Sequence, residues 1–143
     1  MISIRKAELE DVDAIKKLAD AHKKELGFVH KAALTRSIER SEVLVVENTQ
    51  GLVGFLEYRH LKQKPEQTTV YYICVTPESR FKDIGKRLME ALRDEARDRG
   101  KSLIQLKCPV DLPATVFYER LGFQRQGREE GKEREIEIWH LEI

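Results

Sequence analysis

Val75-Thr-Pro-Glu-Ser-Arg80-Phe-Lys-Asp-Ile-Gly85-Lys-Arg-Leu88 joins two different periodicities, and reading them fixes the fold class. Before it, residues 68–75 are rich in β-branched and aromatic side chains, which predicts a buried strand that Pro77 ends. After it, Ile84, Leu88, Ala91, Leu92 and Ala96 recur at helical spacing against a charged face, which predicts a long helix stopped at Gly100. A strand running into a loop and then a long helix aims free N–H groups and the positive dipole end at the loop, a ready anion site. Arg80, Lys82, Lys86 and Arg87 add four cationic side chains there. The residues by themselves also allow a plain solvated basic turn.

Working outward, a short strand at residues 2–5 precedes Val12, Ile15, Ala19, His22 and Leu26, which recur at helical spacing. Glu8, Glu10, Asp11 and Asp13 crowd the start of this first helix, where negative charge is favourable. A weaker helical pattern covers residues 32–39. Residues 43–46 and 52–58 read as strands of a hairpin around the turn at 48–51. The polar run 60–67, containing Pro65, predicts an exposed loop, and residues 102–106 a strand. In Ala114-Thr-Val-Phe-Tyr118-Glu-Arg-Leu-Gly-Phe123, Phe117 and Leu121 form the apolar edge of a short helix. Gly122 suits its left-handed cap, and Phe123 starts another strand. In the last segment Ile136 and Ile138 share one face while Leu141 and Ile143 have the opposite parity, so a bulge near Trp139 or His140 is expected. The order βααβββαβαββ, without internal repeat, is that of an α/β domain.

The 143 residues fit one domain, 1–143. A formal charge of +1 with 36% charged residues announces no polyanionic partner, so no nucleic-acid role is expected. The apolar runs are too short for a membrane-spanning helix and the start lacks a secretory pattern, which makes the cytoplasm the default. Cys74 and Cys108 read as buried free thiols, and the scattered His22, His30, His60 and His140 match no metal-ligand spacing, so no metal is expected. Abundant Lys, Arg and Glu with a single asparagine, Asn48, is a composition seen in heat-adapted proteins.

The Ala114 to Phe123 segment resembles the A-x-x-F-Y-x-x-x-G-F signature of the GCN5-related N-acetyltransferase (GNAT) family. The Val75 to Leu88 segment lies upstream at the distance that family requires, and the likeness covers nearly the whole chain. It implies the acetyltransferase (GNAT) fold, a mixed central sheet flanked by helices, with acetyl-coenzyme A as co-substrate. It also implies that Arg80, Phe81, Lys82, Asp83, Ile84, Gly85 and Lys86 cradle the diphosphate. The family commonly reads R-G-x-G-x-G there, and only Gly85 keeps a glycine of that pattern. Asp83 places a negative charge beside a dianion; at ~4 Å two unit charges interact by ~1 kcal/mol in water and ~4 kcal/mol at an effective dielectric of ~20. Aspartate does tolerate left-handed and cap geometry. By the same likeness, backbone groups of Ile73, Cys74 and Val75 meet the pantetheine arm and polarise the thioester carbonyl. Asp111, where the family usually has asparagine, is expected to cap the tyrosine helix and touch the pantetheine, with Ala114 and Phe117 completing the cofactor set.

The resemblance implies direct acetyl transfer to an amine, with Tyr118 protonating the departing thiolate. Its ordinary pKa of ~10, above a thiol's ~8.5, lets it remain protonated at neutral pH and supply that proton. Without the family, Tyr118 reads equally as a packing residue. The candidate base is Glu57, with His60 and Tyr72 behind it; the plainer reading turns Glu57 to solvent. The acceptor is a small molecule (an amine, an antibiotic or a polyamine) or a protein amino group, and a homodimer is compatible with the sequence. A different class is a catalytically silent module that binds acyl-coenzyme A or a partner. A third reading is an acyl-enzyme at Cys74 or Cys108.

Overall fold

The computed structural model describes residues 2–79 and 83–143. Seven strands, β1 (Ser3–Lys6), β2 (Val43–Asn48), β3 (Gly51–His60), β4 (Gln67–Val75), β5 (Leu103–Pro109), β6 (Gln124–Glu130) and β7 (Glu135–Glu142), form a mixed sheet in the order β1-β2-β3-β4-β5-β7-β6. The helices are α1 (Val12–Ala21), α2 (Lys23–Leu26), α3 (Lys31–Glu39), α4 (Ile84–Asp98) and α5 (Ala114–Arg120). Strands β4 and β5 pair in parallel from Gln67 opposite Leu103 to Val70 opposite Leu106, whereas β1–β2, β2–β3, β5–β7 and β6–β7 are antiparallel. The mixed sheet with flanking helices is the expected fold class. The backbone divides into two compact units, Met1–Arg59 with Tyr72–Leu92, and His60–Tyr71 with Arg93–Ile143.

In the first unit, the apolar stripe of α1 (Val12, Ile15, Ala19) packs with Leu34 of α3 and with Val43, Val45 and Phe55 of the hairpin. The expected first helix stops short of Leu26, at His22. The His22 N–H turns back to the Ala19 carbonyl at 3.0 Å, and its Nδ1 meets the Leu18 carbonyl at 3.1 Å, so the group that would extend the helix is already engaged. A single further turn, α2, then closes on Gly27 at φ 74°.

In the second unit, His60 belongs to β3 instead of an exposed loop. Its side chain is buried, with Nδ1 2.7 Å from Thr68 Oγ1 and Nε2 2.8 Å from Glu95 Oε2. Those two partners, on β4 and α4, compensate for taking a polar ring out of water. Strand β7 carries no bulge: its register with β5 is unbroken from Ile136 to Glu142. The irregularity lies in β6, between Arg125 and Gly127, opposite Trp139 and Ile138. No parity change in β7 is needed, because Glu137, Trp139 and Leu141 are buried on one face while Ile136, Ile138 and His140 are half-buried on the other.

Candidate active site

The first unit supplies a buried carboxylate. Glu57 lies opposite Val43 in the β2–β3 pair and is only 5% exposed, so the solvent-facing expectation is wrong. Strand β3 is an inner strand of the sheet, and residues 53–58 are buried regardless of parity, which removes the alternation that would have turned Glu57 outward. Ser37 Oγ donates to Glu57 Oε2 at 3.1 Å, while Glu57 Oε1 is buried and has no hydrogen-bond partner among the described residues. Burial pushes the Glu57 carboxyl above its ordinary pKa, against the opposing pull of the Ser37 hydrogen bond and the Arg40 charge. Tyr72 of β4 is pushed up by burial and by the charge of Glu57, which identifies these two groups as electrostatic neighbours.

The end of β4 approaches β3 closely. The Thr76 N–H donates to the Val53 carbonyl at 2.8 Å, and the pairing of β2 with β3 slips between Val46 and Glu47, leaving Val53 as the extra residue. Beside it, a Cβ built on Gly54 would stand 2.9 Å from the Cys74 carbonyl oxygen and 2.9 Å from Val46 Cγ1. Gly54 therefore shapes the strand that carries Ile73, Cys74 and Val75, a role the sequence reading missed. An isolated glycine inside a strand pattern was the available signal.

At the start of α4, Asp83 has φ 57°, the left-handed conformation that a glycine adopts without strain. Its carbonyl accepts the Arg87 N–H at 3.0 Å, the opening bond of the helix, and its side chain is exposed. Ile84 is buried, Gly85 is half-buried and Lys86 is exposed. Arg80, Phe81 and Lys82 lie outside the described residues.

The second unit, by itself, contains a buried phenol. Tyr118 is 7% exposed and sits among Phe117, Phe123 and Trp139, at ring-centroid distances of 5.6, 5.9 and 6.2 Å. Burial, with a smaller contribution from Cys108, pushes the Tyr118 hydroxyl well above its ordinary pKa, so it is a neutral donor at physiological pH. Burial likewise pushes the Cys108 thiol up to about 11, with Asp111 adding and Arg134 opposing, which disfavours a thiolate nucleophile there. Both cysteines are buried free thiols. Asp111 does not cap α5. The turn closed by the Leu112 N–H on the Pro109 carbonyl at 3.2 Å delays the helix, its N-cap falls at Pro113 without a side-chain bond, and the Asp111 side chain is left 61% exposed. Ala114 and Phe117 are half-buried on α5. The two ring nitrogens of His60 are engaged by Thr68 and Glu95, which fits a structural role better than that of a base.

Among the described residues, no group of three or more His, Cys, Asp or Glu could hold a metal ion, and no helix is long and apolar enough to cross a membrane.

Residues 39–125 match the family model of the acetyltransferase (GNAT) domain. A 5-NmdU N-acetyltransferase from Pseudomonas phage PaMx11 is 30% identical over 135 residues, 93% of this chain and 94% of that protein. Among solved structures, Ard1 from Thermoplasma volcanium is similar with a TM-score of 0.88 at 17% identity, covering 99% of this chain and 97% of that one. N-acetylglutamate synthase from Neisseria gonorrhoeae, complexed with coenzyme A and N-acetyl-glutamate, is similar with a TM-score of 0.85 at 21% identity over 99% of this chain. The chain spans 35% of the length of that synthase. Likenesses this distant in sequence speak to the fold alone. The family match covers well over half the chain and the phage relative nearly all of it, and with the buried phenol standing at the signature tyrosine, the chain belongs to the GNAT family and is an acyltransferase.

Proposed function

We propose that the chain is a single N-acetyltransferase domain, residues 1–143, that moves an acetyl group from acetyl-coenzyme A directly to an amine. The observation that carries this reading is Tyr118, a protonated phenol at the signature position, enclosed by Phe117, Phe123 and Trp139. The acceptor ammonium first loses a proton to Glu57, directly or through one water. The amine lone pair then attacks the thioester carbonyl, held along Ile73, Cys74 and Val75. When the tetrahedral intermediate collapses, the C–S bond breaks and Tyr118 gives its proton to the sulfur, so coenzyme A leaves as the thiol, while the second proton that the acceptor nitrogen sheds on becoming an amide returns through solvent to the phenolate.

The diphosphate is assigned to the start of α4. Asp83 holds the left-handed backbone that a glycine would supply, and Lys86 and Arg87 offer positive charge in the first turn. The protein is assigned to the cytoplasm, a compartment that suits two buried free thiols. Acceptors to try are small amines, polyamines, protein amino groups and 5-NmdU, the last from the name of the phage relative.

The second reading, a silent acyl-coenzyme A-binding module, draws on the exposed Asp83 carboxylate in the diphosphate loop. Calorimetry with acetyl-coenzyme A followed by a thiol-release assay over the acceptor panel separates the two. Binding with release on one or more acceptors is expected. Binding without release from any of them would favour the silent module.

A further inference from the structure

The two oxygens of Glu57 have different surroundings. Ser37, only 2% exposed on α3, has one hydroxyl proton and spends it on Glu57 Oε2 at 3.1 Å. Its oxygen accepts a bond from Arg40 Nη2 at 3.2 Å, and Arg40 Nε is bound in turn to Oε1 of the buried Glu42 at 2.7 Å. A continuous chain, Glu42 to Arg40 to Ser37 to Glu57, thus runs from the end of α3 into β3. Glu57 Oε1 lies outside that chain, buried and without a hydrogen-bond partner among the described residues. A buried carboxylate oxygen left in that condition is costly unless it has a further use.

We propose that Ser37 and Arg40 are positioning residues that fasten Glu57 by Oε2 and so present Oε1 to the proton of the acceptor amine. The proposal rests on Glu57 being the base. Carboxylate rotation would otherwise exchange the two oxygens, and the Ser37 bond fixes which one turns toward the incoming proton. The chain also favours the charged form of Glu57, which a base must have before it can work. Among the described residues, the groups that act on Glu57 are Ser37 and Arg40 from α3 and its end, and Tyr72 from β4; Val43, opposite on β2, carries no charge, and Glu42 is engaged with Arg40.

The test uses Ser37→Ala, Ser37→Thr and Arg40→Gln, each checked for a native melting transition. Two readouts are followed against pH. One is the NMR titration of the ¹³C-labelled Glu57 carboxyl, assigned by the loss of its signal in Glu57→Gln. The other is kcat/KM. In Ser37→Ala the carboxyl titration and the acidic limb of kcat/KM should both move to higher pH. On that limb kcat/KM should fall about 10-fold, with a smaller fall on the plateau, where the carboxylate is ionised but no longer held by Oε2. Arg40→Gln should move both in the same direction, and Ser37→Thr, which retains the hydroxyl, should stay near wild type. An unmoved Glu57 titration in folded Ser37→Ala and Arg40→Gln overturns the positioning chain itself. A titration that moves while the acidic limb stays put also overturns the proposal, by showing that Glu57 is not the base.

Discussion

Tyr118 is enclosed by three aromatic rings, so replacing it with phenylalanine removes an oxygen without opening a cavity. Tyr118→Phe should therefore bind acetyl-coenzyme A almost as wild type does, by calorimetry, while kcat falls ~10²-fold or more. Wild-type turnover on the true acceptor would reduce Tyr118 to a packing residue. At Asp83, a glycine substitution removes a carboxylate near the proposed diphosphate. It also relieves a left-handed backbone conformation that costs ~1–2 kcal/mol for a residue with a Cβ, an effect on stability that free and bound protein share. Asp83→Gly should bind coenzyme A more tightly, with a gain that shrinks as salt rises and is absent for pantetheine, which lacks the diphosphate. Weaker binding at every ionic strength would show that the aspartate shapes the loop. Both positions were marked out in the sequence, as candidates, by the spaced motifs in which they sit. The burial of Glu57 was not, because Leu56, Glu57 and Tyr58 are all buried in succession and an inner strand gives no alternation to read.

Gly54 ties two strands together. An added Cβ meets the Cys74 carbonyl oxygen and Val46 Cγ1, both at 2.9 Å; the valine can change rotamer, but the carbonyl moves only if the end of β4 moves. Gly54→Ala should destabilise the protein by about 1–3 kcal/mol in denaturant titration and weaken acetyl-coenzyme A binding as well. A loss of stability with wild-type affinity would separate β4 from the cofactor. Helices and strands were largely legible from periodicity, since α4, β4 and the β2–β3 hairpin have strong apolar patterns and clear turn residues. The misses were contacts that periodicity does not encode. His22 engages the carbonyl one turn back, His60 finds partners on β4 and α4, and the bulge expected in β7 is taken up by β6.

Across the whole molecule, two carboxylates pull stability in opposite directions with pH. Arg5 hydrogen bonds, at 2.8 and 3.0 Å, hold Asp11 below its ordinary range. The unfolded chain therefore binds that proton more tightly, and the stabilisation present above an unfolded value of ~3.9 is lost as pH falls through the folded one. Glu57 is raised, so its contribution is fully present below an unfolded value of ~4.3 and disappears as pH rises through the folded one. Glu57→Gln should then unfold at higher denaturant concentration than wild type at neutral pH, with the difference closing on acidification. An equal gain at all pH values would mean that packing, and not ionisation, separates the two proteins.

Trp139 is the single tryptophan of the chain, fully enclosed, with its indole N–H unbonded among the described residues and the Arg125 guanidinium 4.9 Å from its ring. All indole emission therefore comes from one place, and an enclosed, unbonded indole should emit toward the blue. Tyr118, 6.2 Å away between ring centroids, is close enough to pass on the light it absorbs. The chain carries its own dye beside the proposed acid, and the opening of that aromatic cluster on unfolding can be followed in a cuvette without a label, as a shift of the emission toward the red.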